Sequence, residues 1–319
     1  MAELKSTSIT GCFLMGTVAN TGSTGNLWYN TTTNRLQYSY ASATAWSTGG
    51  ALSTSRYSLA GAGTNTAALA FGGRSPAIVS CTEKYNGTSW SAGGALSTAR
   101  TALAGAGTQT AALAFGGYAS PAGQACTEAF NGTSWSSGGA LSTARYRMGA
   151  AGTNTAALAF GGKTPSSPFI TNCTETYNGT SWSSGGALST TRYFLAGAGA
   201  SNTAALAFGG NSSGAACTET YNGTSWSAGG ALIKGRQQLG GAGTSTSALA
   251  FGGYCPPTTL TCTEAYNGSS WSAGCAMITV RYGLAGAGTQ AAALAFGGFC
   301  GGPLGNTESY SGSIQVCTP

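Results

Sequence analysis

Residues 93–135 read GGALSTARTALAGAGTQTAALAFGGYASPAGQACTEAFNGTSW, and this phrase returns little changed through most of the 319-residue chain. GGALSTAR or a close variant ends at Arg56, Arg100, Arg145, Arg192, Arg236 and Arg281, at spacings of 44, 45, 47, 44 and 45 residues. Within the unit, LAGAGT and TAALAFGG are short apolar runs bounded by Gly and Thr, the pattern of strands rather than helices. They predict one hairpin, turning at a polar link such as Thr64-Asn65-Thr66. CTEKY and TSWSA predict a second hairpin across Asn86-Gly87. Asn-Gly favours a type I′ turn, which needs positive φ at both central residues. The pair recurs at Asn131, Asn178, Asn222 and Asn267. Four antiparallel strands at this period make a propeller blade, which buries its faces only against its neighbours. A solenoid would need capping ends, and none is written here. The fold class is all-β, a β-propeller of four-stranded blades.

Repeats begin near residues 47, 91, 136, 183, 227 and 272, and residues 1–46 supply one further period. Those first residues hold two strand-like runs, Leu27–Asn30 and Leu36–Tyr40, and end in Thr44-Ala45-Trp46-Ser47, which matches the outer strand of the other units. Ile314-Gln315-Val316 can serve as a last outer strand. This arithmetic favours seven blades in a single domain over residues 1–319, the first divergent. The alternative is six blades with residues 1–46 as an N-terminal appendage.

Composition agrees with a folded β-protein. Charged residues make up 6% and glycine contributes 53 positions, yet 42% of residues are hydrophobic, enough for a core. The N-terminus carries no readable signal peptide, since an acidic residue stands beside its lysine and its apolar run is short. No window approaches the length of a membrane span, so no membrane insertion is expected.

All seven acidic residues are glutamates, and the chain lacks histidine. Six glutamates (Glu83, Glu128, Glu175, Glu219, Glu264 and Glu308) share one repeat position at the start of the third strand. Arg56, Arg100, Arg145, Arg192, Arg236 and Arg281 share another before the first strand, at the same face of a blade. Structural ion pairs are therefore expected, within a blade or across to the next. Removing them leaves Lys5, Arg35, Arg74, Lys84, Arg147, Lys163 and Lys234 against Glu3, and seven minus one is the whole net charge of +6. These cations are scattered along the chain, with no basic stripe of the kind that binds nucleic acid. Without His or Asp there is no imidazole base and no free carboxylate pair, so catalysis and cofactors are not expected.

The ten cysteines include five at one repeat position (Cys81, Cys126, Cys173, Cys217 and Cys262), too far apart to pair and read as small buried hydrophobes. A bond between Cys12 and Cys317 would lock the ends together.

Near-copies reveal which positions have diverged. The loop after each Gly-Gly differs in every unit, and the residue after each repeat arginine varies too (Tyr57, Thr101, Tyr146, Tyr193, Gln237 and Tyr282). Both sets fall on one face, and repeat proteins tend to carry their binding insertions on one face. The candidate ligand-binding residues are Tyr57, Arg74, Tyr118, Tyr146, Lys163, Phe169, Tyr193, Tyr254, Tyr282 and Phe299. Aromatic tips suit carbohydrate or protein contact, because rings supply contact area at little entropic cost.

A double glycine closing an apolar strand, then a Tyr and a Trp, occurs as Gly72-Gly73 with Tyr85 and Trp90. It returns as Gly116-Gly117 with Phe130 and Trp135, Gly161-Gly162 with Tyr177 and Trp182, Gly209-Gly210 with Tyr221 and Trp226, and Gly252-Gly253 with Tyr266 and Trp271. This pattern resembles the kelch repeat, with a shorter Tyr-to-Trp interval that implies a tighter outer hairpin. Residues 25–38, GNLWYNTTTNRLQY, resemble a hairpin of tail-fibre and other appendage proteins of bacteriophages, notably those infecting marine cyanobacteria. The two resemblances together imply a non-enzymatic virion appendage, assembled in the host cytoplasm, that presents propeller loops to a host-surface glycan or protein. A purely structural decoration or self-assembling filament subunit is the alternative. The implied partners are then other virion proteins or further copies of the chain.

Overall fold

Alternation of Gly and Ala in AGAG gives a strand with nothing larger than a methyl group, so several such strands can crowd one axis. In the computed structural model they do so. Ala60–Gly63, Ala104–Gly107, Gly149–Gly152, Ala196–Ser201, Gly240–Gly243 and Ala285–Gly288 are the inner strands of six blades, numbered here in chain order, and neighbour one another in a closed ring. A Cβ at Gly105 would stand 2.6 Å from Phe71 Cζ and 2.8 Å from Gly61 O of the preceding blade, so only glycine permits this approach. The structure describes residues 45–211 and 215–312 in full, and the backbone of the strands Val18–Asn20, Ser23–Asn30, Arg35–Ala41 and Ile314–Cys317.

Each blade continues outward antiparallel. In blade 2, Ala104–Gly107 pairs with Ala112–Phe115, then Thr127–Phe130, then Trp135–Gly138. The ALAF strand is buried on both faces because it lies between two blades as well as two strands. Outer tryptophans join the blades. Trp135 Nε1 donates to Thr82 Oγ1 of blade 1 at 3.0 Å, and its ring lies 4.9 Å from Phe71 of blade 1 and from Phe130 of its own blade. Trp46, Trp90, Trp182, Trp226 and Trp271 make the equivalent bond to the threonine of the preceding blade.

The propeller has six blades, not seven. Blade 6 takes its outer strand from the beginning of the repeat region: Ala45–Gly49 pairs with Thr307–Ser311, with Trp46 opposite Tyr310. Trp46 therefore completes the last blade instead of ending a first one. The strand at Ile314–Cys317, expected as the last outer strand, pairs with Arg35–Ala41. The chain divides into two compact units, residues 45–311 and residues 1–44 with 312–319. The second unit holds a four-stranded antiparallel sheet in the order Val18–Asn20, Ser23–Asn30, Arg35–Ala41, Ile314–Cys317.

The outer hairpins turn differently from the expected type I′. Only the glycine adopts positive φ, at Gly87, Gly132, Gly179, Gly223 and Gly268. The loop is four residues long, since Trp90 pairs with Tyr85, and Asn86 Oδ1 accepts from the backbone N–H groups of Thr88 and Ser89 at 3.0 and 2.9 Å. Asparagine serves here as a side-chain acceptor, an Asx turn, not as a left-handed residue. The repeat cysteines are not buried as expected: Cys173 and Cys217 are exposed, and Cys81, Cys126 and Cys262 are half-buried. A Cys12–Cys317 bond lies outside the described residues.

Candidate functional site

The links between blades and the loops after Gly-Gly lie at one face, above a layer of buried charge. Every repeat arginine is fully buried and meets the glutamate of its own blade. The contact is 2.6 to 3.1 Å in blades 1 to 4. In blade 2, Arg100 also donates to the carbonyls of Gly116 and Cys126, each at 2.9 Å. The second oxygen of Glu128 accepts from Ser97 N–H at 2.8 Å, and Ser53, Ser142, Ser189, Ile233 and Ile278 present the same amide in the other blades. Thus the link GGALSTAR is pinned by Glu at its serine and by Arg at its end, while Leu96, just before the serine, is buried in the apolar core. Burial pulls the pKa of Arg145, Arg192 and Arg281 below the ordinary guanidinium value, and the adjacent glutamate opposes the shift.

Above this layer a ring closes around the axis. Ala102 N–H donates to Ser58 O, Arg147 to Ala102, Phe194 to Arg147, Gln238 to Phe194, Gly283 to Gln238 and Ser58 to Gly283, at 2.7 to 2.9 Å. All six residues have positive φ, between 50° and 62°, although only one is glycine. A non-glycine residue in this region costs about 1 kcal/mol or more, and such strain clusters at functional positions. Side chains of these residues surround a cavity of about 120 Å³ at the mouth of the axis, floored by Leu59, Leu103, Met148, Leu195, Leu239 and Leu284. Below it the axis is lined by backbone and alanine methyl groups.

Outside the ring, the residue after each repeat arginine pairs with the residue after each Gly-Gly. The pairs are Tyr57 with Arg74, Thr101 with Tyr118, Tyr146 with Lys163, Tyr193 with Asn211, Gln237 with Tyr254, and Tyr282 with Phe299. Two variable positions of each blade are therefore neighbours. Aromatic rings run on from blade to blade: Tyr254 to Tyr282 at 5.5 Å, Tyr282 to Phe299 at 5.5 Å, and Phe299 to Tyr57 at 5.1 Å.

Across blades 1 to 3 the face opens into a cleft of about 340 Å³ lined by Tyr57, Ser58, Arg74, Thr101, Ala102, Tyr118, Tyr146 and Arg147. The Arg147 guanidinium stands 4.3 Å from the Phe194 ring centre and 5.4 Å from that of Tyr146, and Lys163 Nζ lies 4.7 Å from that of Tyr193. The six described glutamates are all buried in ion pairs, so among the described residues no carboxylate faces this cleft. Arg74 and Arg147, far apart in sequence, line the same cleft. Lys84 lies elsewhere, reaching toward Gly132 O in a hairpin turn of the far face.

Of the residues expected on this face, the cleft brings together Tyr57, Arg74, Tyr118 and Tyr146. Lys163 and Tyr193 adjoin it, and Tyr254, Tyr282 and Phe299 form the aromatic arc. Phe169 stands apart at a loop tip, 63% exposed. Sequence reasoning passed over the axial ring. Its members are the middle residues of the triplets after each arginine (Tyr-Ser-Leu, Thr-Ala-Leu, Tyr-Arg-Met, Tyr-Phe-Leu, Gln-Gln-Leu and Tyr-Gly-Leu), which share a backbone conformation and no residue type.

Among the described residues, no cluster of His, Cys, Asp or Glu could hold a metal ion, and no helix is long and apolar enough to cross a membrane. Neither protein-family models nor curated proteins give a match to this chain.

Proposed function

We propose that this propeller is a non-enzymatic adhesion module of a bacteriophage virion appendage, presenting its loop face to a glycan or protein of the host surface. The observation that carries the reading is the confinement of divergence. Six near-identical blades share their buried arginines, tryptophans and ALAF strands, while their differences gather on one face, beside a cleft lined by tyrosines and arginines. Rings with a polar tip, set in a concave site, are what a recognition surface uses. The kelch-like spacing of Gly-Gly, Tyr and Trp, and the phage-like hairpin at residues 25–38, support the same reading. The Arg–Glu pairs serve the frame, being six copies of one sealed arrangement.

The test is attachment. Fluorescently labelled protein is expected to bind host cells, and Tyr118→Ala to weaken that binding at unchanged thermal stability. A protein that is absent from virions and binds no cell would sink the proposal. The far face favours a second reading. It repeats the same Asn-Gly turn in five blades and would suit lateral packing in a decoration or filament. Self-association by sedimentation in the absence of any ligand, lost when the far-face Asn-Gly turns are altered, would favour that alternative.

A further inference from the structure

Two arginines line one cleft with no acid beside them among the described residues, which leaves the cleft suited to an anion from outside. Arg74 Nε donates to Pro76 O at 2.9 Å, which orients the guanidinium and leaves its two terminal nitrogens without a partner among the described residues. Arg147 is held by ring contacts with Tyr146 and Phe194 rather than by hydrogen bonds, so its N–H edges are also free to donate. Its backbone sits at φ 58°, in the strained axial ring, and this position is fixed by hydrogen bonds to Ala102 and Phe194 on either side. A paired fork of N–H donors is matched by a carboxylate or a sulfate, which accepts two parallel hydrogen bonds.

The remaining wall is aromatic. Tyr118 and Tyr146 lie 5.6 Å apart, and Tyr57 closes the other side. Phenol faces stack on the C–H faces of sugar rings, and their hydroxyl groups hydrogen-bond to sugar hydroxyls. At about 340 Å³ the cleft has room for one or two sugar rings and is too small for a folded partner to enter. A long nucleic-acid backbone would need cations along a track, whereas blades 5 and 6 line the same face with Tyr254, Tyr282 and Phe299 and add one exposed cation there, Lys234.

We infer that the cleft between blades 1 and 3 is a binding site for an acidic saccharide, a sugar whose carboxylate or sulfate is held by Arg74 and Arg147 while its ring stacks on the tyrosines. This rests on the adhesion reading and narrows it to a ligand class.

The experiment is calorimetric titration of the full chain with short oligosaccharides of alginate, heparin and neutral laminarin, and with oligo-dT. Binding to an acidic oligosaccharide and not to laminarin is expected, falling at least tenfold in Arg74→Gln and in Arg147→Gln. The variant Lys234→Gln, an exposed cation away from the cleft, is expected to bind as the parent does. Alginate carries carboxylates alone and heparin carries carboxylates and sulfates, so binding of alginate shows that a carboxylate suffices, and binding of heparin alone shows that sulfate is needed. Thermal melts of each variant separate lost binding from lost fold. Equal binding of laminarin, tighter binding of oligo-dT, or equal losses in Lys234→Gln and Arg74→Gln would each overturn the inference. No binding to any acidic oligosaccharide by a protein that still adheres to host cells overturns this inference and leaves the adhesion reading standing.

Discussion

Trp46 Nε1 donates to Thr263 Oγ1 at 2.9 Å although 217 residues separate the two. The bond ties blade 6 to blade 5, and it is made by a strand that the chain lays down before any other part of the propeller. Trp46 also packs on Phe251 and Tyr310, with ring centres 5.0 and 5.2 Å away. Trp46→Phe keeps most of that packing but leaves the buried threonine without its donor, at a cost of about 1–2 kcal/mol. Trp46→Ala adds a cavity and is expected to cost about 3–5 kcal/mol in urea unfolding. A loss below 1 kcal/mol for the alanine variant would mean that the ring is not closed through this residue.

Breaking one ion pair strands a charge. Glu128→Leu leaves Arg100 buried without its counter-ion and is expected to destabilise by about 3–5 kcal/mol. The double variant Arg100→Met with Glu128→Leu is expected to recover only part of this, because Gly116 O and Cys126 O lose the donor that Arg100 supplied. Guanidinium denaturation of both variants measures the difference. A double variant less stable than the single one would refute the assignment of the penalty to stranded charge.

The axial ring supplies a cleaner backbone test. Ala102 sits at φ 52°, so Ala102→Gly is expected to raise stability by about 1 kcal/mol. Gly283→Ala is expected to lower it by a similar amount through strain alone, since a Cβ there would meet nothing closer than 3.5 Å. Opposite signs for the two substitutions are the result to look for in thermal melts.

Alkali should loosen the blades through their buried phenols. Burial raises the pKa of Tyr85 and Tyr266 above the ordinary 10.0, partly offset by the N–H groups of Gly50 and Gly230 donating to the phenol oxygens. The unfolded chain therefore releases these protons first. Their stabilising contribution is complete below about pH 10 and is lost as pH rises through the folded-state values. The melting temperature is expected to fall from pH 9 to pH 11.5, with tyrosinate absorbance rising late and together with unfolding. Phenylalanine at both positions should flatten that fall.

Local pattern carried the strands, since alternation of small residues in AGAG and the run ALAF leave few other ways to bury a short apolar segment. It could not carry the blade count. The strand that completes blade 6 is Ala45–Gly49, and nothing within those residues says that their partner is Thr307–Ser311 and not a neighbour in sequence. The face was legible for Tyr57 and Arg74 because divergence among copies marks exposure. Their convergence with Arg147 was not legible, because the curvature of the ring, not spacing along the chain, brings blades 1 and 3 onto one cleft across blade 2. The ring itself was hidden for another reason: Ser58, Ala102, Phe194 and Gln238 share only a backbone angle, and no side-chain chemistry announces it.

On the ribosome, the closing strand becomes a matter of timing. Residues 45–49 emerge first, and their partner strand follows only after the whole repeat array has been translated, as the separation of 262 residues between Ser47 and the Ser309 carbonyl that accepts its hydroxyl shows. Until then the nascent propeller has an open seam: an unpaired strand at one end, and at the other an incomplete sixth blade. Five nearly identical blades already stand in between, each offering that strand a partner of almost the right sequence. Only blade 6 lacks an outer strand of its own, so the last vacancy, rather than any unique code, selects the correct match.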